Sequence, residues 1–144
     1  MVRLGTQQTW KSEKYWGGSM ECSIRVGKVS SVNYQKHAVR VAFSDVTAVS
    51  GEIPVLRFAN GWSKDNSLPS VGDSVVCIFM GSGVGSGYCL GSFYRSGDSV
   101  PGDIGQFGIY FDDGNSFCYD RDAKAFKIIG DLEVSGEIKQ GEST

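Results

Sequence analysis

Only one histidine occurs in the chain, and the four cysteines, Cys22, Cys77, Cys89 and Cys118, form no CxxC pair. Familiar zinc-ligand spacings are therefore missing, and buried free thiols are the expected state of the cysteines. Charge of one sign is missing too: Lys plus Arg total 14 against 16 for Asp plus Glu, a net charge of -2. Nothing in that balance draws in a phosphate backbone from a distance, although a local basic groove is still compatible with it. Long hydrophobic runs are also lacking. The longest, Val75-Val76-Cys77-Ile78-Phe79-Met80, falls far short of the ~20 residues that span a bilayer as a helix. The N-terminal stretch from Met1 to Trp10 offers no apolar core for a signal peptide, so use without Sec export is expected.

What is present is a chain of 144 residues, 40% hydrophobic and 12% aromatic, the size of one ordinary domain. Residues 1–21 are polar and carry Trp10, Tyr15 and Trp16 without a sustained period. They read as an arm whose aromatics dock on the parent domain or on a neighbouring subunit. From Cys22 onward, short alternating segments are separated by turn residues. Ile24–Val29, Ala38–Phe43, Ile53–Phe58, Asp73–Met80 and Gly87–Tyr94 read as strands, with Val39, Val41 and Phe43 on one face and Arg40 opposite. No amphipathic helix interrupts them. Five short antiparallel strands suit a Greek-key barrel of the OB type over residues 22–100 better than a sandwich, which wants about seven.

Past Pro101 the pattern changes. Ile109-Tyr110-Phe111 and Ser116-Phe117-Cys118-Tyr119 flank the hairpin signal Asp112-Asp113-Gly114-Asn115, giving a hairpin or connecting region over residues 101–127. In residues 128–144, Ile128, Gly130, Leu132, Val134, Gly136 and Ile138 share one parity, while Asp131, Glu133, Ser135, Glu137 and Lys139 take the other. Such a lone strand has no core to enter and needs partners, which identical copies in a symmetric oligomer would supply. Ile128, Leu132, Val134 and Ile138 are then the expected interface.

Candidate chemistry is thin. The run from Gly81 to Gly87 places Ser86 where a GxGxxG motif needs its last glycine, and it joins two strands where a phosphate loop would open a helix. Asp112, Asp113, Asp120 and Asp122 do not match calcium-loop spacing, and His37 has no nucleophile placed beside it by a known motif. Arg25, Lys28, Arg40 and Arg57 are dispersed over separate strands, as on solvated faces. No catalytic, cofactor-binding or metal-binding residue is expected.

The segments Ile24–Val29, Val39–Phe43, Ile53–Leu56, Pro69–Val75 and Gly87–Tyr94 together resemble the baseplate assembly protein V family, the central spikes of contractile phage tails and tail-like bacteriocins. The likeness covers roughly Ile24 to Arg95 and rests on a pattern of turns and strands. The closing alternation from Ile128 is similar to the start of the triple-stranded β-helix, or β-prism, that follows the OB domain in that family. The resemblance implies a homotrimer that attaches to a baseplate hub protein, with Trp10, Tyr15 and Trp16 as hub or subunit contacts. It also implies assembly in the bacterial cytoplasm into a virion or tail-like particle, and transient contact with the target envelope. Long family members end in a His-x-His motif holding an iron ion, and no histidine follows His37 here. A separate spike-tip protein, an apex without metal, or a chain that stops short of the apex all fit that departure. The alternative function is an OB module for single-stranded nucleic acid.

Overall fold

The computed structural model describes residues 8–12 and 20–142, with side chains from Glu21 onward. It is all-β, with no helix among the described residues, and its ten strands form two antiparallel sheets. The strands are β1 (Gln8–Ser12), β2 (Met20–Asn33), β3 (Ala38–Phe43), β4 (Ala48–Val49), β5 (Ile53–Pro54), β6 (Ser74–Met80), β7 (Gly87–Ser92), β8 (Gln106–Tyr110), β9 (Ser116–Asp120) and β10 (Ala125–Ile129). Two compact units divide between Asp98 and Ser99. Strands β1 to β7 belong to the first and β8 to β10 to the second.

In the first unit, β2 is long enough to serve two partners. Cys22 to Lys28 pair with β6, whereas Lys28 to Asn33 pair with β3, with a bulge between Val29 and Ser31. A bulge bends and twists a strand, which lets a single strand turn from one neighbour to the next. Strand β3 pairs onward with β5 through Val39 and Ile53, and β6 pairs with β7. A parallel bridge joins Val55 to Cys89, reinforced by the Leu56 N–H donating to the Cys89 carbonyl at 2.9 Å. Hydrogen bonding therefore runs β2, β3, β5, β7, β6 and back to β2.

The alternation predicted for β3 holds: Val39, Val41 and Phe43 are buried and Arg40 is exposed. They meet Ile53, Val75 and Phe79 inside, where Phe43 and Phe79 pack edge to face with ring centroids 5.6 Å apart. Full burial of one such side chain is worth about 1.5–3 kcal/mol. Gly27 permits the close crossing of β2 over β3, because a Cβ there would lie 2.6 Å from the Ala42 carbonyl oxygen. Ser50 closes a local gap, its hydroxyl accepting the Val41 N–H at 2.9 Å and donating to the Gly51 carbonyl at 2.7 Å.

Several expectations need adjustment. The third strand ends at Pro54 apart from the Val55 bridge, and does not reach Phe58. Instead the Asp65 carboxylate accepts the backbone N–H groups of Phe58 and Ala59, holding a loop there. Strand β4 was not anticipated, and β1 lies within the stretch read as an arm, pairing Trp10 with Cys22 across the ladder. His37 is half buried, with a backbone φ of 51°, and its Nδ1 lies 3.2 Å from the Val55 carbonyl oxygen. It pins the turn to the ring of strands.

The second unit is a three-stranded sheet in the order β10, β9, β8. Its turns follow from local chemistry. Gly114 takes a φ of 89° in the first turn, where the Asp113 carboxylate accepts the Asn115 N–H at 2.9 Å. In the second, Asp120 accepts the N–H groups of Asp122 and Ala123. Strand β10 stops at Ile129, and residues 131–142 belong to no strand. The continuous strand expected from Ile128 to Ile138 is absent in the single chain, for two reasons. Gly130 has a φ of 122°, which turns the backbone away from the strand conformation of β10, and no strand among the described residues pairs with 131–142.

Candidate assembly surface

The register of the second sheet places Phe107, Tyr119 and Phe126 in one row across the three strands, and Ile109, Phe117 and Ile128 in the next. Side chains alternate between faces along a strand, so both rows share one face. All are exposed in the chain, Phe107 at 85% and Phe126 at 71%. The rings touch one another: Phe117 and Phe126 stack with centroids 6.1 Å apart, and Tyr119 leans on Phe126 at 5.0 Å.

The opposite face mixes Gln106, Asp120 and Lys127 with Tyr110, Cys118 and an exposed Ile129. Cys118 is buried there, and the Lys127 ammonium donates to the Asp120 carboxylate at 2.8 Å. The ammonium hydrogen bond, helped by the Ala123 N–H, holds the Asp120 carboxyl well below the usual carboxylate range, and the carboxylate in turn raises Lys127. Gln106 joins the same cluster, its amide oxygen accepting from the Asp103 N–H and from the Tyr110 hydroxyl.

Of the residues expected at an interface, Ile128 lies on the aromatic face in β10. Leu132, Val134 and Ile138 lie beyond the last strand and are exposed. The single chain does not bring those three into the sheet. Trp10 sits in β1, where only the backbone is described, and Tyr15 and Trp16 lie outside the described residues. Phe107, Ile109, Phe117, Tyr119 and Phe126 were missed as surface residues. Their signal was the period of two on both sides of the Asp112–Asn115 turn, which marks the hairpin and also marks which face is apolar.

Of the basic side chains expected on dispersed solvent faces in the first unit, Lys28, Arg40 and Arg57 are exposed, and Arg25 departs from the expectation. Arg25 is buried, with its guanidinium 3.4 Å from the Asp45 carboxylate and 5.6 Å from the centre of the Phe43 ring. Arg40 is exposed and reaches the Ser50 carbonyl at 3.4 Å. An open cleft of about 620 Å³ gathers Tyr34, Lys36, His37, Arg57, Lys64 and Tyr88, but Asp65 shares the cleft and Glu52 pairs with Lys36 at 3.4 Å.

Cys77 and Cys89 are directly opposite across β6 and β7, fully buried as free thiols. The contact with the Cys89 sulfur, together with burial, pushes the Cys77 thiol up. Among the described residues, no group of three or more His, Cys, Asp or Glu side chains is placed to hold a metal ion. No protein-family model matches the chain, and no curated protein matches it.

Proposed function

We propose that the chain is the central spike of a contractile tail or tail-like particle: a homotrimer whose first unit is an OB-type barrel fixed to a baseplate hub, and whose end forms a short intertwined β-prism. The ring order β2, β3, β5, β7, β6, with its lone parallel contact between β5 and β7 and its long bent first strand, supports the Greek-key OB reading. The observation that carries the trimer is the chain end. Leu132, Val134 and Ile138 alternate with charged residues, yet are exposed and unpaired with any strand. Three copies closing on an axis would supply both the missing hydrogen bonds and the missing interior.

The role is mechanical. Sheath contraction drives the trimer into the target envelope, so slow unfolding under load is the property that matters, with no bond made or broken. The particle assembles in the bacterial cytoplasm, and the spike meets a hub protein on one side and either the envelope or a separate tip protein on the other. Burial of Arg25 against Asp45 and Phe43 removes one cation from the alternative, a single-stranded nucleic-acid module. Electron microscopy of tail particles labelled with an antibody to this chain tests the proposal: label at the tail end supports it, and particles without label contradict it. Micromolar oligonucleotide binding that weakens steeply with salt would instead favour the alternative.

A further inference from the structure

We infer that Cys77 and Cys89 form a redox site, a cross-strand pair that hydrogen peroxide converts to a disulfide, locking β6 to β7 inside the first unit. The inference goes beyond the spike reading and does not depend on it. The two residues are register partners, and both side chains are fully buried in the core of the unit. The ladder shows which kind of pair they form. Three rungs further along, the Met80 N–H donates to the Ser86 carbonyl at 3.0 Å, and hydrogen-bonded rungs alternate with open ones in an antiparallel pair. The Cys77–Cys89 rung is therefore an open one. The Cys89 carbonyl agrees, since it accepts the Leu56 N–H at 2.9 Å on the side of β7 away from β6. Open rungs bring Cα atoms to about 4.5 Å, inside the roughly 4.4–6.8 Å that a disulfide spans.

The two sulfurs have different parts. The Cys77 thiol donates to the Cys89 sulfur, and this contact, helped by the Gly91 N–H, holds Cys89 below the ordinary thiol value. Cys89 gives up its proton and attacks one oxygen of the peroxide. The O–O bond breaks, Cys89 becomes a sulfenic acid, and the departing hydroxide takes the Cys77 proton as water. The Cys77 thiolate then attacks the Cys89 sulfur, the S–O bond breaks, and the second hydroxide leaves as water with the proton that Cys89 first lost. A water-sized oxidant suits sulfurs without exposed surface, where a mixed disulfide with glutathione would require the barrel to open. Cys22 does not compete, because it lies opposite Met80 and alternates with the buried Ser23, on the other face of β2. In a reducing compartment the pair stays open as thiols.

Peroxide treatment of the native full chain, followed by quenching, alkylation in denaturant and non-reducing peptide mapping, tests the inference. Cys77 should be found linked to Cys89 within one chain, and dithiothreitol should restore both thiols. The urea midpoint of the first unit should rise on oxidation and return on reduction, because the closed loop restricts the unfolded chain. Cys77 and Cys89 still free at a peroxide dose that oxidises Cys22 would overturn the inference. So would linkage of either residue to Cys22 or Cys118, or separate oxidation of the two to sulfinic acids. A linked chain with an unchanged or lower midpoint would contradict the lock.

Discussion

The two units solve the problem of an apolar sheet face in opposite ways. In residues up to Asp98 the strands wrap until β5 meets β7, and Val39, Val41, Phe43, Ile53 and Phe79 fill the inside. From Ser99 onward a sheet of three strands shows Phe107, Ile109, Phe117, Phe126 and Ile128 to solvent, with Cys118 as the buried hydrophobic residue among the described residues. Burial separates them. The first unit should therefore carry its stability within one chain, whereas the second should borrow its stability from assembly.

The strongest way to break that comparison is to open the first core. Phe79→Ala removes a fully buried ring packed on Phe43 and should cost about 3–5 kcal/mol, read as a lower urea midpoint of the first unit. A loss below about 1 kcal/mol would mean that the first unit also leans on a partner.

Val134→Asp acts on the other side of the comparison. It should weaken trimer association by at least roughly tenfold, since three carboxylates would meet in an apolar interior, while the first unit keeps its own melting transition. Glu133→Lys, on the opposite parity, should leave sedimentation unchanged. Equal behaviour of the two variants would show that the register of the terminal segment is different.

Thiol reactivity sharpens the contrast further. Cys22 is half buried, whereas Cys77, Cys89 and Cys118 are buried. Alkylation of Cys77 and Cys89 should stay slow in Val134→Asp, and alkylation of Cys118, buried within the single chain, should speed up only as the second sheet opens once the trimer dissociates. After denaturation all four cysteines should count as free thiols.

The smallest effect concerns pH. Asp120 is held low, so its contribution is present above the unfolded carboxylate value of about 4 and is lost as pH falls through the lower folded value. Lys127 is raised, so its contribution is present below its unfolded value and is lost as pH rises through the higher folded one. The second unit should be insensitive to pH between about 5 and 9, and Asp120→Asn should flatten its acid limb. Lys127 is exposed, so the change is small and screened by salt.

What was legible in the sequence tracks local chemistry. The strand Ala38–Phe43, the span of β6 and the turn at Gly114 follow from alternation and turn residues. The hairpin around the Gly81–Gly87 loop sets the register that brings Cys77 opposite Cys89. Non-local effects were not legible. The third strand does not run on to Phe58 because Asp65 captures the Phe58 and Ala59 N–H groups, a contact made by a residue well beyond the strand pattern. Ile128 to Ile138 alternate like a strand, yet pairing depends on a neighbour that no local pattern supplies. For the site, the parity of Phe107, Ile109, Phe117 and Tyr119 was readable, but only the register across three strands shows that their rows merge with Phe126 and Ile128.

Sedimentation velocity of the full chain across a concentration series from nanomolar to micromolar tests the central claim most directly. A trimer that dissociates on dilution, with the first unit still folded afterwards, is the predicted result. A monodisperse monomer at micromolar concentration, with the second sheet protected from exchange, would contradict the account, because the sheet would then be stable without copies of itself.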